Sequence, residues 1–204
     1  MGIYDRYILP HLVNSSCSAK PIRYQRKKVV PQARGRILEV GMGSGLNLPF
    51  YDAEKVEFVW GLEPSEGMRA MAAPAIAAAP FEVKWLGLPG EEIPLEDDTV
   101  DTVVLTYTLC SIADGIKALQ QMKRVLKPGG EMLFCEHGAA PDKDVRKWQD
   151  RINPVWKVIG GGCHVNRLIP ELLEAGGFKV RSLETMYLPN TPRPLGFTYW
   201  GSAS

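Results

Sequence analysis

The sequence has no long apolar run, few cysteines and almost no net charge, and each of these absences excludes a class of protein. No apolar stretch among the 204 residues approaches the roughly 18 residues that a membrane-spanning helix needs, so no transmembrane segment is expected. No signal peptide precedes the cysteines, and their positions show no paired spacing typical of metal ligands. The cysteines are Cys17, Cys110, Cys135 and Cys163. We therefore expect reduced thiols in a cytoplasmic protein without a metal site.

The formal net charge of +1 gives no electrostatic drive toward nucleic acid. Basic residues nevertheless concentrate between Lys20 and Arg36, and acidic residues between Glu91 and Asp98 offset them. The basic cluster is either a solvated helix face or a surface attracted to anionic membranes. A peripheral membrane contact therefore stays open, whereas a nucleic-acid partner is not expected.

The length of the chain limits the number of domains. With 204 residues, of which 45% are hydrophobic, the sequence can build one full core and hardly two. We predict a single domain over residues 1–204. Within it, residues 1–33 are expected to form helices interrupted by Pro10 and Pro21, and residues 139–165 a helix that ends in a glycine turn.

The most informative stretch runs from Arg36 to Leu48 and contains three glycines spaced by single residues. The apolar residues before the glycines suit a strand buried on both faces. Gly41, Gly43 and Gly45 permit a tight turn in which the backbone closely approaches a ligand. The sequence therefore predicts a strand that turns into a helix beside a small-molecule site. The alternative is a loop in which the glycines only permit the turn and bind no ligand.

Two ligand classes compete for this turn, dinucleotides and S-adenosylmethionine. A dinucleotide fingerprint needs a third glycine or alanine where this chain has Leu46. Glu39, two residues before the first glycine, would repel a pyrophosphate but suits the ammonium of a methionine-like tail, directly or through water. Glu63 ends the next strand, where an acidic residue binds ribose hydroxyls in such sheets. These residues favour S-adenosylmethionine.

Short apolar segments that alternate with helical ones indicate an α/β protein with a doubly wound sheet. The first strand contains Ile37, Leu38 and Val40. Six further strands are predicted at residues 56–62, 81–86, 99–107, 131–135, 178–183 and 196–200. Helices are expected after Ser65, at residues 112–126, at residues 141–159 and after Asn166, and a loop at residues 189–194.

Three motifs resemble those of the class I S-adenosylmethionine-dependent methyltransferases. They are Leu38-Glu-Val-Gly-Met-Gly-Ser-Gly45, Gly61-Leu-Glu-Pro-Ser65 and Leu126-Lys-Pro-Gly-Gly130. The resemblance implies a Rossmann-like sheet of seven mostly parallel strands with an antiparallel last strand. It also implies helices on both faces of the sheet and an N-terminal helical cap over the cofactor. S-Adenosyl-L-methionine would be the cofactor, and S-adenosyl-L-homocysteine the product.

Later motifs resemble the thiol methyltransferases of the animal methyltransferase-like group. These motifs are Leu109-Cys-Ser111, Cys135-Glu-His137 and the segment from Asn153 to Cys163. The animal proteins carry a hydrophobic membrane anchor before the domain, whereas this sequence begins almost directly with Ile3–Leu9. We therefore expect that membrane residence does not carry over.

The resemblance also predicts which residues contact the cofactor. Glu63 would bind the ribose, Met68 would flank the adenine and Glu91 would meet the adenine amino group, with an exposed acidic loop as the alternative for Glu91. Tyr4 and Asp5 resemble a Tyr-Asp pair that closes over the cofactor in related enzymes. The predicted set is Tyr4, Glu39, Gly41, Gly43, Ser44, Gly45, Asn47, Glu63, Pro64, Met68, Gly90, Glu91, Thr106, Thr108 and Leu109.

Four residues are candidates for proton transfer, and one of them, His164, follows the triple glycine. His137 leaves the fifth strand at the catalytic edge, Tyr107 ends the fourth strand, and Asp5 would approach from the N-terminus. A packing role is the alternative for each. The predicted acceptor-binding residues combine soft cysteines with two tryptophans of an apolar helical stripe, for which the alternatives are inert buried thiols and core packing. They are Cys110, Trp148, Trp156, Cys163 and His164.

These predictions point to methyl transfer from S-adenosylmethionine to a small-molecule acceptor. A thiol is favoured, because a thiol of pKa near 8.5 is partly ionised at neutral pH and needs little help to lose its proton. A lipid or quinone acceptor is the main alternative, since the same superfamily branch methylates both. A dinucleotide-dependent oxidoreductase and a cofactor-binding protein without catalysis are more distant alternatives. The sequence leaves the oligomeric state open.

Overall fold

A computed structural model describes residue 4, residues 8–87 and residues 89–204 of the chain. The described residues contain one seven-stranded sheet with strand order β3-β2-β1-β4-β5-β7-β6. The strands are β1 (Gly35–Val40), β2 (Val56–Leu62), β3 (Glu82–Leu86), β4 (Val100–Thr106), β5 (Leu126–His137), β6 (Val180–Tyr187) and β7 (Phe197–Ala203).

The direction of the strands confirms the predicted fold class. The strands from β1 to β5 pair with one another in parallel. Strand β7 runs antiparallel to both of its neighbours, β5 and β6. The order of the strands reverses between β1 and β4, and the carboxyl ends of the strands on either side of such a reversal form a crevice where ligands bind.

Seven α-helices accompany the sheet in the described part of the chain. They are α1 (Leu9–Cys17), α2 (Lys20–Val29), α3 (Glu66–Ala77), α4 (Gly115–Val125), α5 (Lys143–Ile159), α6 (Ile169–Ala175) and α7 (Arg193–Gly196). Ser65 caps α3 as predicted, because its hydroxyl accepts a hydrogen bond from the Met68 N–H at 3.3 Å. None of these helices is long and apolar enough to cross a membrane.

Alternating side chains of the central strands build a core on each face of the sheet. Leu38 of β1 packs in one core with Leu119 of α4 and Leu173 of α6. The next side chain in β1 toward the N-terminus, Ile37, points to the opposite core, which contains Val29 of α2. Full burial of one such aliphatic side chain stabilises the fold by about 1.5–3 kcal/mol. Helices therefore cover both faces, and the strand ends stay available for a site.

Three local predictions are wrong. No α-helix follows the glycine turn, where three left-handed glycines delay helical structure until the 3-10 turn at Leu48–Phe50. Asn166 does not cap α6; its side chain donates to Asp150 at 2.8 Å, and α6 begins beside Pro170, a residue that favours a first helical turn. Residues expected in the loop 189–194 contribute instead to α7.

Candidate functional site

The crevice at the carboxyl ends of β1 and β4 holds a cavity of about 520 Å³, which is a typical volume for a small-molecule site. The glycine turn, the end of β2 and the loop after β4 contribute to its wall. Helix α1 contributes Leu9, Val13 and Cys17, and the turn after α5 contributes Gly160 and Gly161. A Cβ added at Gly161 would lie 2.4 Å from Leu9 Cδ2, so this turn and α1 pack directly against each other.

Left-handed backbone conformations shape the glycine turn. The φ angles are +69° at Gly41, +58° at Gly43 and +77° at Gly45, where glycine avoids the steric cost of a side chain. A Cβ at Gly41 would lie 2.2 Å from the Thr108 side chain, so that glycine lets the loop after β4 approach β1. A Cβ at Gly43 would come no nearer than 3.1 Å to any neighbour, its closest being Met68 Cε on the cavity wall. Gly43 therefore leaves room for a ligand.

Glu63 lies at the end of β2, on the cavity wall. Its Oε2 accepts a hydrogen bond from the Gly43 N–H at 3.0 Å, and its Oε1 accepts one from the Ser65 N–H at 2.9 Å. Burial raises the pKa of this carboxyl, while the two N–H groups oppose the shift. A carboxylate offers about four acceptor positions, so each oxygen keeps a lone pair for a ligand hydroxyl. This geometry is compatible with the predicted ribose contact.

A buried polar cluster beside the glycine turn is centred on Arg26 of α2. Its Nη1 donates to Asn47 Oδ1 at 2.6 Å and to Thr106 Oγ1 at 2.7 Å. Arg26 also lines the cavity, and its buried Nε has no hydrogen-bond partner among the described residues. Because this Nε is shielded from solvent, a ligand in the cavity would meet the guanidinium at another edge. The sequence does not distinguish Arg26 from its exposed neighbour Lys27.

Glu39 is buried behind this cluster. Its Oε1 accepts from Asn47 Nδ2 at 2.9 Å, and its Oε2 accepts from the Tyr51 hydroxyl at 2.7 Å. Burial raises the pKa of the Glu39 carboxyl to about 7, although the two hydrogen bonds and Arg26 act in the opposite direction. Glu39 does not line the cavity, so the geometry does not support the predicted direct contact with the cofactor. Its carboxylate instead fixes Asn47, which in turn holds Arg26.

Most of the predicted cofactor residues meet at this cavity. The residues that line it are Gly41, Gly43, Ser44, Glu63, Pro64, Met68, Gly90, Glu91, Thr106 and Thr108. Gly45, Asn47 and Leu109 do not line it, and the Leu109 side chain is fully buried in the core formed with α4 and α6. Glu91 Oε1 accepts a hydrogen bond from the Asp114 N–H at 3.1 Å, which joins the loop of Glu91 to the start of α4.

Tyr107 and Glu136 shape the loop that follows β4. Tyr107 has a left-handed φ of +52° and lines the cavity. Its hydroxyl is buried beside Cys135 and Thr198, and burial raises its pKa well above the ordinary value. This phenol is therefore unsuited to the predicted role of base. Glu136 Oε1 accepts from the Thr108 N–H at 2.7 Å and anchors the loop.

A second cluster lies next to the cavity and joins three residues from distant parts of the sequence. His137 Nε2 is 3.2 Å from Cys163 Sγ, and the Cys163 and Cys110 sulfur atoms are 3.6 Å apart. Trp156 Nε1 donates to Cys163 Sγ at 3.4 Å. The hydrogen bond with Cys110 and the facing imidazole of His137 lower the pKa of Cys163 well below its ordinary value. His137 is therefore already engaged by the protein, and the sequence spacing of these residues gave no indication of the cluster.

Helix α5 is oriented differently from the prediction. Trp148 is 55% exposed and stacks near Arg151, whose guanidinium carbon is 5.6 Å from the ring centroid. The buried residue at this turn is Gln149, whose Nε2 donates to the carbonyls of Gly138 and Val165 at 2.9 Å each. The loops beneath α5 present backbone polar groups, so an amide satisfies them where an apolar side chain would not. Trp148 does not reach the cavity.

Two further predicted residues lie at the margin of the cavity. The His164 N–H donates to the Cys110 carbonyl at 2.9 Å, but its ring lies beside Asn153 and does not line the cavity. The Tyr4 hydroxyl donates to the Ile159 carbonyl at 2.6 Å, next to the glycine turn that closes the cavity. Asp5 lies outside the described residues, and its predicted role stays a prediction.

Comparisons with known proteins assign the family. A family model described as a methyltransferase domain matches residues 38–134. Human thiol S-methyltransferase TMT1B is 33% identical over 193 residues, which cover 91% of this chain and 78% of the human protein. Demethylmenaquinone methyltransferase of Clavibacter sepedonicus is 30% identical over 124 residues, which cover 61% of this chain and 50% of that protein.

The fold is also similar to that of a solved methyltransferase structure. The putative methyltransferase of Haloferax volcanii, solved in complex with the methyltransferase activator Trm112, superposes with a TM-score of 0.72 at 17% identity. The match covers 99% of this chain and 96% of that chain. These findings establish a methyltransferase that uses S-adenosylmethionine and releases S-adenosylhomocysteine. The chain thus belongs to the class I S-adenosylmethionine-dependent methyltransferases, in the family that includes thiol S-methyltransferase TMT1B.

Proposed function

We propose that this methyltransferase acts on a small thiol. S-Adenosylmethionine supplies a methyl group on a sulfonium, and the enzyme must align the acceptor with that group in a pocket that excludes water. Helix α1 and the glycine turn after α5 both contribute to the wall of the cavity. The similarity to a thiol S-methyltransferase over 91% of this chain supports the same acceptor class here.

The observation that carries the proposal is the scarcity of free bases in the cavity wall. Among the described lining residues, Glu63 accepts hydrogen bonds from two backbone N–H groups, Glu91 accepts one from the Asp114 N–H, and Tyr107 has a strongly raised pKa. Outside the wall, His137 is paired with Cys163. An alcohol or a carbon acid would need a strong base, whereas a thiol near neutral pH is already partly ionised. The site therefore suits an acceptor that arrives as its own anion.

The same wall supplies contacts for each part of the cofactor. We assign the ribose hydroxyls to Glu63, whose two oxygens each keep an acceptor position. The carboxylate of the methionine part is assigned to Arg26, which lines the same cavity as the glycine turn. Gly43 leaves the backbone open between them, since a Cβ there would enter the cavity near Met68. The adenine is assigned to the space between Met68 and Glu91.

The test is a comparison of matched acceptors. Purified enzyme is incubated with S-adenosylmethionine and an alkyl thiol, the corresponding phenol and amine, or a quinone head group, and S-adenosylhomocysteine is quantified by mass spectrometry. We expect the thiol to react fastest, with a rate that rises with pH in step with the ionisation of that thiol. Two thiols of different pKa should give pH profiles displaced by their difference in pKa.

A quinone acceptor is the second candidate, because demethylmenaquinone methyltransferase of Clavibacter sepedonicus is 30% identical over 61% of this chain. Faster turnover of the quinone head group than of every thiol would overturn the thiol proposal. It would leave the assignment as a methyltransferase intact.

A further inference from the structure

Cys110, His137 and Cys163 bring three metal-ligating atoms into one small volume. Their ligand atoms all lie within 4.8 Å of one another. Cys110 lies in the loop after β4, His137 ends β5, and Cys163 follows the glycine turn after α5. Each side chain is buried or half-buried. The cluster is thus assembled by the tertiary fold from elements that also build the cofactor cavity.

The distances suit a tetrahedral cation. Zinc binds sulfur at about 2.3 Å and nitrogen at about 2.0–2.1 Å. In a regular tetrahedron, these bond lengths place two sulfur ligands about 3.8 Å apart and a sulfur and a nitrogen ligand about 3.5 Å apart. The corresponding separations here are 3.6 Å between the sulfurs of Cys110 and Cys163 and 3.2 Å between Cys163 and His137. Shifts of a few tenths of an ångström would bring these two pairs to coordination distances, and the third pair, Cys110 Sγ and the His137 ring, lies within 4.8 Å.

The surrounding hydrogen bonds hold the ligands in place. Trp156 Nε1 donates to Cys163 Sγ at 3.4 Å, and Ser111 Oγ is 3.5 Å from Cys110 Sγ. The His164 N–H donates to the Cys110 carbonyl at 2.9 Å, which ties the two cysteine segments together through the backbone. Partners of this kind orient metal ligands and tune their affinity.

We propose that Cys110, His137 and Cys163 bind one divalent cation of the zinc type. Two thiolates and an imidazole form a donor set that selects such borderline-soft ions. Three protein ligands leave the fourth tetrahedral position open, as in catalytic rather than structural zinc sites. Ser111 contacts Cys110 and also lines the cavity, so the cluster borders the space assigned to the substrate. We assign the fourth position to the sulfur of the acceptor thiol, a step that rests on the proposed function.

Cobalt titration tests the site without any enzymatic assay. Metal-free wild-type protein, reduced with a phosphine under nitrogen, is titrated with Co²⁺ alone. We expect a thiolate-to-cobalt charge-transfer band and the visible bands of tetrahedral cobalt, saturating at one ion per chain. Cys163→Ser and His137→Ala should weaken cobalt binding by more than about a hundredfold, and Trp156→Phe, which removes an outer partner, by about tenfold.

Matched controls separate the cluster from the other thiols and imidazoles. Cys17→Ser and His164→Ala alter the same residue types nearby, and both should retain the wild-type cobalt spectrum. Circular dichroism checks that each variant is folded. The proposal is overturned if folded wild-type protein gives no tetrahedral cobalt spectrum, or if Cys163→Ser retains it. Wild-type protein that binds no cobalt but forms a Cys110–Cys163 disulfide in air would also overturn the metal site, and would indicate a redox role for the cluster.

A second titration tests the fourth position. Adding an alkyl thiol to the cobalt protein without S-adenosylmethionine should shift the visible bands, whereas the matching alcohol should not. An unchanged spectrum would overturn the acceptor assignment alone. Methyl transfer is measured separately on the acceptor panel, so a cobalt site in a protein that methylates no thiol would refute the proposed function and leave the metal site standing.

Discussion

Replacing Glu63 by alanine tests the most specific contact assigned to the cofactor. The Glu63 oxygens each hold one backbone N–H and each keep an acceptor position toward the cavity. Two charge-assisted hydrogen bonds to ribose hydroxyls contribute about 1.5–3 kcal/mol each. The lower end of that range, about 3 kcal/mol in total, corresponds to a loss of about two orders of magnitude in affinity. Glu63→Ala should therefore raise the Kd for S-adenosylhomocysteine at least about a hundredfold.

The same variant also removes the carboxylate that holds the N–H groups of Gly43 and Ser65. A loosened glycine turn would weaken binding without any ribose contact. Titration calorimetry with S-adenosylhomocysteine and with its 2′-deoxy analogue separates the two effects. Wild type should bind the deoxy analogue more weakly than the parent compound, whereas Glu63→Ala should bind both with nearly equal affinity.

The matched control is Glu66→Ala, which removes the same charge from an exposed residue one helical turn away in α3. Its Kd should equal that of wild type. Two results would refute the reasoning. One is a folded Glu63→Ala variant with wild-type affinity. The other is an equal ratio of Kd values, deoxy analogue to parent compound, in wild type and in the variant. Glu63 would then act only by holding the glycine turn.

Three further substitutions probe the rest of the cavity. Gly43→Ala places a methyl group in the cavity and should weaken S-adenosylhomocysteine binding at least about tenfold, whereas Gly129→Ala, at a similarly left-handed φ in open space, should cost only about 1–2 kcal/mol of stability. Arg26→Gln should weaken S-adenosylhomocysteine about tenfold to a hundredfold but leave methylthioadenosine, which lacks the carboxylate, nearly unchanged. Glu39→Gln should flatten the pH dependence of the free energy of unfolding. The folded state keeps a proton on Glu39 that the unfolded chain releases, so this contribution to stability is lost as pH rises from 4.5 to about 7, by about 3 kcal/mol.

Each of these predictions has an outcome that contradicts it. Equal affinities of Gly43→Ala and Gly129→Ala would show that the space near Met68 stays empty in the complex. An equal loss for both ligands in Arg26→Gln would argue against the carboxylate contact, and Lys27→Gln, at an exposed neighbour, should lose nothing. Urea unfolding of wild type and Glu39→Gln should give diverging curves between pH 4.5 and 7; parallel curves would mean that Glu39 is charged in the fold.

The sequence predicted the sheet and the glycine turn because both depend on local patterns. Ile37 and Leu38 alternate between two cores, and a buried parallel strand needs apolar residues on both sides. Gly41, Gly43 and Gly45 adopt conformations that other residues rarely tolerate, so their spacing alone indicates the turn. Glu63 could be predicted as a site residue because it ends the neighbouring strand, at the same edge of the sheet as the glycine turn.

The sequence missed features that depend on tertiary contacts. Arg26 is a basic residue like its solvent-exposed neighbours in the sequence. It is buried only because α2 packs beside Asn47 and Thr106. The cluster of Cys110, His137 and Cys163 joins three segments whose separation along the chain carries no periodic signal.

The predicted orientation of α5 was wrong for a different reason. The apolar stripe containing Trp148 and Trp156 predicted a helix face toward the core or the pocket. The surface beneath the first turns of α5 presents the buried N–H of Ala140 and the buried carbonyls of Gly138 and Val165, to which a glutamine can hydrogen-bond and a tryptophan cannot. Hydrophobic periodicity carries no information on the polarity of the surface against which a helix packs. It therefore predicted a buried Trp148, whereas the fold buries Gln149.

The contribution of α1 to the cavity wall has a kinetic consequence. This helix is attached by apolar contacts such as that of Leu9 with Gly161 and by a hydrogen bond between Ser44 and Asn14, and most of its residues are not buried. A wall held by so few contacts opens at lower free energy than the sheet beneath it. We therefore expect exchange of product for fresh cofactor to proceed through displacement of the N-terminal helix, and the frequency of that opening to limit turnover even for a highly reactive acceptor.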